Sequence, residues 1–152
     1  MDTRFRTMVC SQCCVEKLLK WAGMVKEAEK VSILKQPQTG LIMMRIKDSA
    51  NSEVFNIGEV LVTDCTVKVS DKLGYGAVLG NQANRAEASA IIDAFFNLES
   101  QNMPGVKNII ESGIMEQAEK LRIGKNIEFE RVSRSRVDFE TMTTVREGDD
   151  CE

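Results

Sequence analysis

A mixed α+β fold is predicted for this chain from three observations. Apolar residues at helical spacing open the chain and recur through its second half, a β-branched stretch cut by turn signals lies between, and a two-residue alternation returns near the end. The expected arrangement is an N-terminal helix, a mainly antiparallel sheet of about four strands, two later helices and a C-terminal strand. All of it is expected in a single domain over residues 1–152, with a frayed tail at about residues 146–152. A chain of 152 residues that is 43% hydrophobic can bury such a core without disulfides or structural metal.

Residues 5–30 contain no proline and only Gly23, while Val15, Leu18, Leu19 and Ala22 recur at three- and four-residue intervals. One amphipathic helix is expected there, with Gly23 as its weak point. In the stretch that follows, Pro37 fixes φ and Gly40 can supply positive φ, so residues 37–40 read as a turn. Residues 41–47 form the next strand, with Ile42, Met44 and Ile46 on one face and Arg45 and Lys47 on the other. After a polar loop at residues 48–52, residues 54–69 read as a long strand bent at Gly58, with Leu61, Cys65, Val67 and Val69 sharing a face. Ser70, Asp71 and Lys72 have turn composition, so residues 73–79 should return antiparallel as a hairpin.

An Ala-rich helix is predicted over residues 83–98. Its stripe is Ile91, Ala94, Phe95 and Leu98, extended by Ala86 and Ala90, whose small side chains permit close approach to a sheet. Met103, Pro104 and Gly105 break the chain, and residues 106–134 then carry helical spacing through Ile110, Ile114, Ala118, Leu121 and Lys125. Gly113 and Gly124 weaken this last helix by about 1 kcal/mol each relative to alanine. Val137, Phe139 and Thr141 finally alternate with Asp138, Glu140 and Met142, the rhythm of a strand.

The chain contains no histidine, which removes the usual general base, the usual transition-metal ligand and every Ser-His-Asp or Cys-His arrangement. A formal charge of −3 disfavours nucleic-acid binding as a main function, and no apolar run approaches the length of a membrane span. The five cysteines form an odd set, and with no secretory signal before them they are expected as reduced thiols in a cytoplasmic protein. No cofactor and no metal is expected.

Four features are weighed for chemistry. CSQCC (Cys10, Cys13 and Cys14) holds a C-x-x-C, but few further ligands exist, so these residues are expected to be ordinary helix positions, Cys10 and Cys14 on one face. In GNQANRAE, residues Gly80, Asn81 and Arg85 lie at a predicted helix N-terminus, where free N–H groups favour an anion; the plainer reading makes Asn81 an N-cap. Asp93 and Glu59 would form an acid/base pair only if they converged on one cleft. Arg131, Arg134 and Arg136 form a basic run at the end of the last helix.

Taken in order, PQTGLIMMR, FNIGEVLVTDCTVKV, LGYGAVLG with the Ala-rich IIDA helix, and RVDFETM resemble the PhnG family of the bacterial carbon-phosphorus lyase system over nearly the whole chain. The resemblance implies an accessory subunit in phosphonate catabolism. Family members work with PhnH and PhnI, aided by PhnL, in converting methylphosphonate and ATP to α-D-ribose 1-methylphosphonate 5-triphosphate with release of adenine. PhnI is the nucleosidase component, which would place the catalytic residues there. A core complex also includes PhnJ, the radical S-adenosylmethionine subunit.

Two departures from the family pattern stand out. Asn81, Gln82 and Ala83 replace a basic run, and Arg85 stands where a histidine is common, so no catalytic residue is carried over. Glu140 replaces an apolar ring in the final strand. That strand would present an open edge, and Arg136, Val137, Asp138, Phe139 and Met142 are expected to serve as a subunit interface with another copy or with PhnI. The alternative function is a stand-alone cytoplasmic anion-binding module using Gly80, Asn81 and Arg85.

Overall fold

A computed structural model of the chain describes residues 1–48, 52–98 and 104–135. The elements are α1 (Thr3–Gln12), α2 (Val15–Ala28), β1 (Val31–Lys47), β2 (Val54–Val69), β3 (Lys72–Leu79), α3 (Ala83–Phe96) and α4 (Pro104–Ser133). The three strands form one antiparallel sheet in the order β1-β2-β3, so the α+β class expected from the sequence holds.

Two boundaries differ from expectation. The N-terminal helix is two helices, and the break falls at Cys13 and Cys14, both extended, while Gly23 lies inside α2. Burial of Trp21, Ala22 and Val25 around Gly23 outweighs its propensity penalty. The turn at residues 37–40 is also absent, so among the described residues the sheet has three strands rather than four. Pro37 sits where the β1–β2 register shifts between Lys35 and Gln38, and β1 is an edge strand; both circumstances tolerate a residue with no N–H to donate. The anticipated final strand, with Val137 and Phe139, lies outside the described residues.

The core forms where α3 lies on the sheet. Thr63, Cys65, Val67 and Val69 of β2 point toward it, as does Val78 of β3. The small stripe on α3 meets glycines on the strand: a Cβ on Gly74 would sit 2.6 Å from Ala94 Cβ, and one on Gly76 would sit 2.7 Å from Ala90 N. Helix and strand therefore approach nearly backbone to backbone. Helices α1 and α2 cover the outer side of α3 through Val9, Leu18, Trp21 and Val25. From α4, Ile110 and Ile114 complete the core, and Gly113 is explained by Trp21, whose indole Cζ2 would lie 2.5 Å from an added Cβ.

Two elements leave this body. β3 ends at Leu79 opposite Val62, so residues 54–61 of β2 have β1 as their only strand partner among the described residues and form a two-stranded arm. A one-residue bulge sets Met44 against Gly58 and Arg45 against Asn56; Gly58 takes φ 150°, which bears out the bend expected there. The end of α4 is the second such element: residues 122–133 are exposed throughout, a projection of about 18 Å at the helical rise.

Candidate functional site

The predicted anion site lies at the β3–α3 junction. Gly80 adopts φ 79°, the left-handed conformation that lets the chain turn out of β3, and its N–H donates to the Leu61 carbonyl at 2.8 Å. Thr63, almost fully buried, closes the turn: its hydroxyl donates to the Gly80 carbonyl and accepts the Gln82 N–H at 3.0 Å. The N-cap of α3 is Gln82 rather than Asn81, and its side-chain amide donates to the Leu79 carbonyl at 2.9 Å. A shallow cavity of about 360 Å³ is lined by Asn81, Gln82, Asn84, Arg85 and Val15.

Arg85 is engaged from three sides. Its Nε donates to Gln82 Oε1 at 2.8 Å, and one terminal nitrogen donates to the carbonyls of Ser11 at 2.9 Å and Cys13 at 2.8 Å. The cation thus sits at the C-terminal end of α1, where unpaired carbonyls collect partial negative charge. This contact accounts for the break at Cys13 and Cys14, since it satisfies groups that a continuous helix would have paired internally. Gly80, Asn81 and Arg85 do share one junction, with the guanidinium turned toward α1.

The other candidates separate. Asp93 is held by Arg6, itself only 3% exposed, and also accepts the Tyr75 N–H at 3.2 Å. Arg6 lies over the Phe96 ring at 5.0 Å, so this pair ties α1 to α3 and β3. Glu59 lies out on the arm opposite Met43. Thr66, which pairs with Tyr75, is seven residues further along β2, about 23 Å at the strand rise, so the two carboxylates do not converge. Within CSQCC, Cys10 and Cys13 are buried and Cys14 is exposed. Burial pushes the Cys10 thiol up to about 12, with smaller contributions from Cys13 and Asp93 and an opposing one from Arg6. Burial also raises Cys13, against the Arg85 cation. No cluster of three metal-ligating side chains occurs among the described residues. Arg131 and Arg134 are exposed at the end of α4, and Arg136 lies outside the described residues.

The large exposed apolar groups were not picked out by motif. Leu41 is 63% exposed, Ile42 53%, Phe55 48% and, on α4, Phe129 73%. A signal for the arm exists in the sequence, because VFNIGEVL carries apolar residues at both strand parities and cannot bury them against one helix layer.

A small α+β protein of this kind, whose polar side chains are spent on joining its own elements and whose apolar residues are displayed on projections, has the character of an assembly component. The chain belongs to the PhnG family of phosphonate metabolism proteins, whose family model matches residues 3–146. It is also 31% identical over 128 residues, 84% of this chain and 78% of the other, to a Rhizobium meliloti (strain 1021) protein described as α-D-ribose 1-methylphosphonate 5-triphosphate synthase subunit PhnG.

Proposed function

We propose that this chain is an accessory subunit of the synthase that forms α-D-ribose 1-methylphosphonate 5-triphosphate from ATP and methylphosphonate, with the catalytic residues on a PhnI-like partner. The observation that carries the reading is its similarity, over most of both chains, to a protein named as a subunit of that synthase. Its chemistry agrees: the chain has no histidine, Arg85 is occupied with carbonyls, and Asp93 is ion-paired. PhnH, PhnI, PhnJ and PhnL-like proteins are the partners, in the cytoplasm. Arg136, Val137, Asp138, Phe139 and Met142 contribute a contact to one of them or to a second copy.

Tagged protein recovered from its native host under phosphate starvation should carry PhnH, PhnI and PhnJ in near-equal amounts. Recovery of the chain alone, from cells shown to express those proteins, would sink the reading. Anion capture at Gly80, Asn81 and Arg85 is the second reading, supported by the open cavity beside the α3 N-terminus. Tight binding of methylphosphonate or ATP by the isolated chain would favour it.

A further inference from the structure

We infer that the β1–β2 arm, residues 40–47 and 54–61, is the element by which this chain docks into a different subunit of the synthase, one presenting an apolar cleft that closes over both faces of the ribbon. The inference rests on the accessory-subunit reading. The arm contributes nothing to the chain's own core: every residue from 38 to 47 of β1 and from 54 to 59 of β2 is exposed. A two-stranded ribbon is marginal in water when nothing covers it, and this one runs for about 26 Å beyond its third strand.

The register assigns the faces. On the side away from α3 lie Ile42 with Val60, Met44 with Gly58, and Ile46 with Phe55, an unbroken apolar strip. On the α3 side, beyond the reach of that helix, Leu41 pairs with Leu61, Met43 with Glu59, and Arg45 with Asn56. Nine large apolar side chains of the arm are between 41% and 63% exposed. Together they present on the order of 800 Å² of surface, which is one partner's share of a standard interface.

The distribution over two faces selects the occupant. A second copy stacked sheet to sheet would cover the Ile42–Phe55 strip and leave Leu41, Met43 and Leu61 in water. A cleft enclosing the ribbon covers both. Arg45 and Lys47 make no ion pair among the described residues, and both lie on the mixed face, so the cleft should carry carboxylates on that side.

The test is co-expression of the full-length chain with the other synthase subunits, comparing wild type with the double variant Ile46→Asp and Phe55→Asp. Incorporation of the variant should fall at least ~tenfold, while the unfolding midpoint of the isolated chain, read from Trp21 fluorescence, is retained. Wild-type stoichiometry for the variant would overturn the docking role and leave the subunit reading standing; failure of wild type itself to assemble would remove both. A wild-type dimer in isolation that the double variant dissociates, with assembly preserved, would give the arm to a second copy and overturn the proposal. Should the variant fail to fold, a photo-crosslinking residue at Met44 in the assembled complex decides: adducts with another subunit support the inference, and adducts only with this chain refute it.

Discussion

Replacing Arg85 with methionine keeps the aliphatic stem and removes the fork that holds α1 to α3. Two charge-assisted hydrogen bonds to α1 are lost, at 2.9 Å to Ser11 and 2.8 Å to Cys13, together with the exposed one to Gln82 at 2.8 Å. Bonds of this kind contribute about 1.5–3 kcal/mol each; because one nitrogen makes both they are not additive, and a loss of about 2–4 kcal/mol is expected. For a chain of this length that lowers the melting temperature by roughly 5–15 °C. Trp21 is the only tryptophan, is 6% exposed and follows the α1–α2 break, so its fluorescence in a urea titration reports the transition directly. The midpoint should fall with an unchanged slope. Arg85→Lys, which keeps the charge and loses the planar fork, should recover less than half of the loss. A loss under about 0.5 kcal/mol for the methionine variant would refute the structural role, and a phosphate-dependent rise in midpoint present only in wild type would return Arg85 to anion binding.

Gly76→Ala should cost about 1–3 kcal/mol by pushing α3 off β3, whereas Gly40→Ala, with open space at its Cβ, should stay within about 0.5 kcal/mol in the same titration. Asp93→Ala leaves the Arg6 cation buried without its partner and should cost about 3–5 kcal/mol; adding Arg6→Met should restore part of this, and strictly additive losses would contradict the coupling. Mass mapping after brief alkylation should find Cys14 modified before Cys10, since Cys14 is exposed and Cys10 is buried with its thiol raised to about 12. A thiol ordinarily at 9.0 and raised on folding contributes in full below pH 9; that contribution is lost as pH rises through 9 toward 12. Stability should therefore fall there by up to about 1.4 kcal/mol per pH unit, a slope reduced in Cys10→Ala.

Elements with strong period and composition were legible from sequence. The Ala86, Ala90 and Ala94 stripe announced a helix meant to sit tightly on a sheet, and Gly74 and Gly76 are the strand's half of that fit. The faces of residues 41–47 were also correctly divided, with Ile42, Met44 and Ile46 against Arg45 and Lys47. What could not be read locally was what covers each face. An apolar strip is ordinarily core, and only a tertiary fact, that no element among the described residues lies on the sheet face opposite α3, leaves this one in solvent. The two boundary differences have the same origin. Pro37 reads as a turn until β1 is known to be an edge, and the break at Cys13 depends on Arg85, more than seventy residues away in the chain.

The tight seat of α3 on β3 also bears on why this protein suits assembly. Small residues on both sides bring helix and sheet together, and the layer so formed covers β2 only from Thr63 to Val69. Wider coverage of the ribbon would need a second helix on the opposite sheet face or a longer β3, and neither exists among the described residues. Helices α1 and α2 instead stack outward on α3, the first through Arg6 to Asp93, and α4 packs in turn on those two, with Gly113 against Trp21. Stability is thereby concentrated around one helix, and the β1–β2 ribbon is released from the body's own packing. Polar groups that might have formed a reactive cleft are used at the junctions of that helix. A body secured in this way can hold out an apolar arm without depending on it to fold, which is what a subunit needs if its projections are to find their cover in another chain.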